Sequence, residues 1–165
     1  MKSADRKHEV LKAVSGIFFR YGTRSNCRFY INTIVAVDLI EMEKIDNVYF
    51  VQSDLENFAE NYLKNDTFNK IDLVMSDIAP NISGIESADV PAMLNLADTV
   101  LEIALKSLKD SGNLLVKLFQ GKGTDNFLEY TKSCFKKVRV IKPKASRPNS
   151  REIYMLATNL KSKQN

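Results

Sequence analysis

The stretch IDLVMSDIAPNISG, Ile71–Gly84, decides how the chain is read. Its apolar run, Ile71 to Met75, ends at Ser76-Asp77 and then breaks at Pro80, Asn81 and Gly84. Branched and apolar residues bounded by turn formers read as a buried strand running into a loop. In an open α/β sheet, ligands sit outside the carboxyl ends of the strands. Asp77 is therefore a carboxylate at a position where chemistry is common. The same residue type also caps turns with its side chain. Spacing alone leaves both roles open.

Outward from this stretch the pattern is regular. Upstream, TIVAVDLIEM is an apolar strand ending at Asp38, and NVYFVQSDL is a second ending near Asp54. Leu55, Phe58, Ala59, Tyr62 and Leu63 follow with helical spacing. Downstream, a loop over Ile78–Asp89 leads to Pro91, which opens a helix in its favoured first-turn position. The helix presents Leu94, Ala97, Leu101, Ala104, Leu105 and Leu108, and Asp110-Ser111-Gly112 ends it. NLLVKLFQG is a fourth strand, broken at Gly121-Lys122-Gly123. A helix capped by Thr124 or Asp125 then runs through Cys134, which reads as a buried helix position. Val138–Ile141 and REIYMLATNL complete the strands. Strands alternating with helices imply a largely parallel, doubly wound α/β sheet. The last two strands lack a helix between them, so they are expected as an antiparallel hairpin at the sheet edge. Residues 1–33 are the least regular, with only weak helical periodicity in HEVLKAVSGIFF.

The bulk properties exclude several classes. A chain of 165 residues, 44% apolar and 27% charged, fits one domain with a real core. No window approaches a membrane span, MKSADRKHEV lacks a secretory signal, and only two cysteines, far apart, fit a reducing cytosol, so a cytoplasmic protein is expected. Cys27 and Cys134 are far apart, and metal-ligand clusters are missing, so no metal is expected. His8 is the only histidine, which excludes a Ser-His-Asp arrangement. Between Lys132 and Arg151 lie eight basic residues and no acidic one: Lys132, Lys136, Lys137, Arg139, Lys142, Lys144, Arg147 and Arg151. Against a total of +4, the rest of the chain is net negative. Such a stripe reads either as a phosphate footprint or as a solvated face.

Three constellations could carry chemistry. Asp38 and Asp54 end successive strands, where the first could accept both ribose hydroxyls of an adenosine cofactor and the second an adenine amino group. Each alone is a common turn residue. Lys117 stands inside Leu114-Leu115-Val116-Lys117-Leu118-Phe119, a strand too apolar on both faces for an edge, where an unpaired ammonium is costly. Snorkelling to an open edge is the simpler alternative. Glu152 poses the same question in REIYMLA. If the sheet brings them together, Asp77, Lys117 and Glu152 share one charged site, and mutual pairing offsets part of the desolvation cost. No GxGxxG turn is present, and GKGT at 121–124 lacks the spacing of a P-loop.

Taken together, VMSDIAPNISG, the helix after Val90-Pro91, LLVKLFQGKG and SRPNSREIYMLAT closely resemble the FtsJ (RrmJ-type) ribosomal RNA methyltransferases. The resemblance runs from about Thr33 to Thr158. It implies a Rossmann-like, S-adenosylmethionine-dependent methyltransferase sheet, mostly parallel with a reversed last strand. It further implies methylation of a ribose 2′-hydroxyl in RNA, a uridine of large-subunit ribosomal RNA. Of the family's Lys-Asp-Lys-Glu catalytic group, Asp falls on Asp77, the second Lys on Lys117 and Glu on Glu152. Asp38, Asp54 and Asp77 match cofactor-holding positions. Lys117 matches the proton acceptor, a role that requires the neutral amine, which burial favours and a neighbouring carboxylate disfavours. Phosphates would engage Lys136, Lys137, Arg139, Lys142, Lys144, Arg147 and Arg151.

The departure lies in residues 1–32. The family's Arg-Ser-Arg-rich segment, with its first catalytic Lys, has no counterpart there. Neither does its Asp-Leu-Gly-Ala-Ala-Pro-Gly-Gly-Trp cofactor turn. No catalytic lysine is carried onto these residues, and the first strand is expected to be missing or altered. The expectation is one methyltransferase domain over 1–165, monomeric, with a divergent segment 1–32 and a family-like core 33–158. A catalytically impaired, RNA-binding remnant is the alternative.

Overall fold

In a computed structural model the described residues are 17–21, 33–62, 71–143 and 150–162. They form β1 (Ile17–Tyr21), β2 (Thr33–Asp38), β3 (Val48–Gln52), α1 (Leu55–Tyr62), β4 (Ile71–Ser76), α2 (Glu86–Ser107), β5 (Leu108–Phe119), α3 (Thr124–Cys134), β6 (Phe135–Ile141) and β7 (Glu152–Leu160). The strands make one sheet in the order β3-β2-β1-β4-β5-β7-β6. β2 pairs parallel with β3, and β4 with β5. β7 runs antiparallel to both β5 and β6, giving the expected reversed last strand and edge hairpin.

β1 fills the central slot and runs antiparallel to both β2 and β4. The altered first strand is thus a strand of reversed direction, drawn from a segment whose sequence shows only weak helical spacing. Ile17-Phe18-Phe19 supplies the β-forming residues, and the open pairing edges of β2 and β4 outweigh that local spacing.

Alternation along the strands separates the two faces. Val35, Val37, Val74, Leu114, Val116, Leu118, Met155 and Ala157 point to one face. There they pack with Leu55 and Phe58 of α1, Ala97, Leu101 and Ala104 of α2, and Phe127 of α3. All three described helices lie on that face, so the second helical layer of a doubly wound sheet is not among the described residues. On the opposite face Leu73, Met75, Leu115 and Leu156 are half-buried.

Several boundaries differ from the sequence reading. α2 begins at Glu86, with Pro91 inside its second turn and Leu108 already in β5. Side chains of Val90, Met93, Val100 and Ile103 extend its buried face. β5 starts before Gly112, because Ser111 takes a left-handed conformation (φ 65°) and the register with β4 shifts between Ile71 and Leu73. α3 is preceded by Gly123 at φ 97°, a backbone that suits glycine; Thr124 Oγ1 donates instead to the Phe119 carbonyl. Cys134 closes α3 and is partly buried, and β6 begins at Phe135.

Candidate active site at the carboxyl ends of β4 and β5

Register brings the charged residues together. Ser76 lies beside Val116, so Asp77, the next residue along, comes level with Lys117. Lys117 in turn lies opposite Tyr154 of β7, and Phe119 opposite Glu152. Directly paired residues share a face, as do residues two apart on one strand. Lys117, Tyr154 and Glu152 therefore sit on the sheet face away from the helices.

Lys117 is 8% exposed. Its Nζ donates to the Asp77 backbone carbonyl at 2.7 Å and lies 3.1 Å from Asp77 Oδ1. The strand therefore buries its lysine with two oxygens from one residue, and snorkelling does not occur. The Asp77 side chain remains 46% exposed, so the pair opens to solvent on the carboxylate side. Tyr154 donates its hydroxyl to Asp77 Oδ1 at 2.7 Å. Burial, then the hydrogen bond to Asp77, push the Tyr154 phenol well above its ordinary value. Sequence reasoning passed over Tyr154 as one more apolar residue of REIYMLA. The available signal was its position two residues from Glu152, hence on the same face.

Glu152 lies on this face but, among the described residues, forms no ion pair with Lys117; its backbone amide donates to Ser150 Oγ, and the Ser150 hydroxyl lies 3.5 Å from its Oε2. Asp38 ends β2 at the same edge of the sheet. Its Oδ1 accepts the Ile40 amide at 3.0 Å, leaving Oδ2 without a protein donor among the described residues. That geometry fits a carboxylate able to accept from a ribose hydroxyl. Asp54 is a helix cap: Oδ1 accepts the Asn57 amide at 2.7 Å and Oδ2 the Asn57 side-chain amide at 2.6 Å. Both Asp54 oxygens thus carry a protein donor.

The first turn of α2 joins the pieces around the site. Asp89, 7% exposed, accepts from the Ser83 hydroxyl, the Ser83 amide and the Gly84 amide at 2.7, 2.8 and 2.9 Å. The hydrogen bond from the Ser83 side chain, followed by that from its backbone, holds the Asp89 carboxyl below the usual carboxylate range. This fixes the loop that leaves Asp77. Glu86 pairs with Arg151 at 2.8 Å, just before β7, and a Cβ on Gly121 would meet Val90 Cγ2 at 2.7 Å. Loop, β5 end and β7 start are therefore all held by one helix terminus.

Of the basic stripe, Lys136, Lys137 and Arg139 are exposed on β6. Lys142 donates to the Ser150 carbonyl, and Arg151 is the partner of Glu86. Lys144 and Arg147 lie outside the described residues. Among the described residues no group of acidic, histidine or cysteine side chains could hold a metal ion, and no helix is long and apolar enough to cross a membrane.

The sequence model of the FtsJ-like methyltransferase family matches residues 13–160, beginning inside the segment read as divergent. Ribosomal RNA large subunit methyltransferase E of Vesicomyosocius okutanii is 46% identical over 130 residues, covering 78% of this chain and 62% of that protein. The protein of that name from Stutzerimonas stutzeri is 43% identical over 133 residues, with 78% and 63% covered. The chain thus spans less than two thirds of the length of these relatives. Among solved structures, a Plasmodium falciparum protein described as a ribosomal RNA methyltransferase superposes with a TM-score of 0.66 at 27% identity, covering 76% of this chain and 71% of its own. Human methyltransferase-like protein 13, solved with SAH, shares the fold with a TM-score of 0.55 at 15% identity, covering 75% and 54%.

Proposed function

This chain belongs to the FtsJ-like methyltransferase family, and on that premise we propose that it methylates a ribose 2′-hydroxyl of RNA, a uridine of large-subunit ribosomal RNA. The observation that carries the reading is the buried Lys117, held against the backbone carbonyl and Oδ1 of Asp77 at the carboxyl edge of the sheet. Asp38 and Asp77 would hold S-adenosylmethionine, with Asp54 at the adenine end. When bound, that cofactor supplies an electrophilic methyl group. Lys117 Nζ would orient the 2′-hydroxyl and, as the neutral amine, take its proton while the methyl passes from sulfur to oxygen and the cofactor leaves as the thioether; Asp77 Oδ1 would stabilise the ammonium produced. Tyr154 fixes the Asp77 carboxylate, and Glu152 adds negative potential on the same face. Names of the relatives support ribosomal RNA as the substrate, and the basic residues of β6 support contact with its phosphates.

Lys117→Ala should abolish methyl transfer from labelled S-adenosylmethionine to ribosomal RNA while RNA binding stays nearly unchanged. Transfer at the wild-type rate in that variant would sink the assignment.

One observation favours a second reading, an RNA-binding remnant. β1 runs opposite to its neighbours, so its own carboxyl end lies at the far edge of the sheet from Asp38 and Asp77. A cofactor-cradling turn at that end would be on the wrong side. Calorimetry with S-adenosylmethionine separates the two readings: no heat at millimolar ligand, in a sample with a cooperative unfolding transition, selects the remnant.

A further inference from the structure

The basic stripe is not uniform once the strands are in register. Val138 packs into the helix-covered core beside Ala157, so its neighbours Lys137 and Arg139 point to the other face, the one that carries Lys117 and Tyr154. Lys137 lies opposite Thr158, Arg139 opposite Leu156, and Ile141 opposite Tyr154. A cross-strand row thus runs Lys117–Tyr154–Ile141, and Arg139 and Lys137 step away from it at alternate positions along β6. Two strand spacings and two residues separate Arg139 from Lys117, about 12 Å between backbones. Arg139, Lys137 and Ile141 are exposed, whereas Leu156, Leu115 and Met75, which continue the cross-strand row from Arg139, are half-buried. Among the described residues no helix packs over this floor. Neither of the two cations has an ion-pair or hydrogen-bond partner among the described residues, unlike Lys106, Lys132 and Arg151, which pair with Glu102, Glu129 and Glu86.

We propose that Lys137 and Arg139 form a phosphate rail for single-stranded RNA, leading along β6 and across the half-buried apolar floor to Lys117. Resting on the RNA reading above, the proposal selects these two cations and excludes bases on the helical face. The strand must be single because Lys117 is recessed in the sheet, so the acceptor ribose has to leave a helical stack to reach it. Unstacked bases also suit a half-exposed apolar floor better than the closed surface of a duplex.

Fluorescence anisotropy with a labelled single-stranded RNA, and with the same sequence as a duplex, tests it across a salt series. The double variant Lys137→Glu/Arg139→Glu should bind the single strand at least tenfold more weakly. Its milder counterpart Lys137→Gln/Arg139→Gln should lower the salt slope by about 1.4, the value for two lost phosphate contacts. Lys106→Glu, on α2 across the sheet, should bind within twofold of wild type, with circular dichroism confirming that all variants fold. Unchanged binding by both double variants, equal weakening by Lys106→Glu, or equal affinity for duplex and single strand would overturn the rail. Failure of wild type to bind any RNA would instead overturn the RNA reading on which it rests.

Discussion

Asp77 and Lys117 are unequal partners, and their substitution should show it. The Lys117 side chain is 10% exposed and that of Asp77 46%, so each deletion strands a different group. Asp77→Ala leaves the Lys117 ammonium in place with only the residue-77 carbonyl, and it removes the acceptor of the Tyr154 hydroxyl. The lost ion pair costs about 1 kcal/mol, discounted because Asp77 is half-exposed. The orphaned hydroxyl adds about 1 kcal/mol. The sum, about 2 kcal/mol, corresponds to a drop of roughly 4–8 °C in Tm for a chain of this size. Lys117→Met removes the buried charge and leaves a carboxylate that water can reach, so stability should move by less than about 1 kcal/mol. In the double variant the stranded charge is gone, which should return about 1 kcal/mol relative to Asp77→Ala alone. Urea unfolding of the four proteins, read as midpoint shifts at constant slope, measures each value. Lys117→Met more destabilising than Asp77→Ala, or strictly additive effects, would refute the reasoning.

Tyr154→Phe removes one hydrogen bond from Asp77 and should cost about 1 kcal/mol. Because the folded-state phenol titrates above its unfolded value, its contribution is full below pH ~10 and is lost as pH rises further, so the variant should lose stability less steeply in the alkaline range. For Asp89, the depressed folded value has the opposite sign: its contribution is present above the ordinary carboxylate range and lost as pH falls. Asp89→Asn should therefore flatten the acid limb of the stability curve, and hydrogen exchange should show faster Ser83 and Gly84 amides. Gly121→Ala should destabilise by about 1–3 kcal/mol through overlap with Val90, and Val90→Ala in the same chain should restore most of that loss in a thermal melt.

Which parts were legible in the sequence follows from which forces set them. Strands β2, β3 and β4 read correctly because apolar runs closed by Asp38, Asp54 and Asp77 leave little freedom. The meeting of Asp77 with Lys117 followed from one unusual residue, a lysine in a strand too apolar to be an edge. β1 was not readable, since only the vacant pairing edges of β2 and β4 make Ile17–Tyr21 a strand. Helix boundaries at Glu86 and Ser107 shifted because a Pro tolerated early in α2 and a left-handed Ser111 act through backbone geometry that residue patterns express weakly. Tyr154 was missed because a tyrosine in an apolar strand looks like core until register places its hydroxyl on Asp77. For Asp54 the turn alternative is visible directly: its carboxylate caps α1.

The position of β7 has a consequence for how the site comes into being. It is the last described strand in the chain, yet it lies between β5 and β6, inside the sheet. During vectorial synthesis β4, β5 and Lys117 emerge before their neighbours Tyr154 and Glu152 exist. Until β7 inserts, β5 and β6 each present an open edge, and the Lys117 ammonium lacks the wall that Tyr154 provides. Closing the sheet and completing the charged cluster are thus one event, contributed by the nine residues of β7. A chain interrupted before Glu152 would expose two unpaired strand edges, the form of β-structure most apt to recruit other chains.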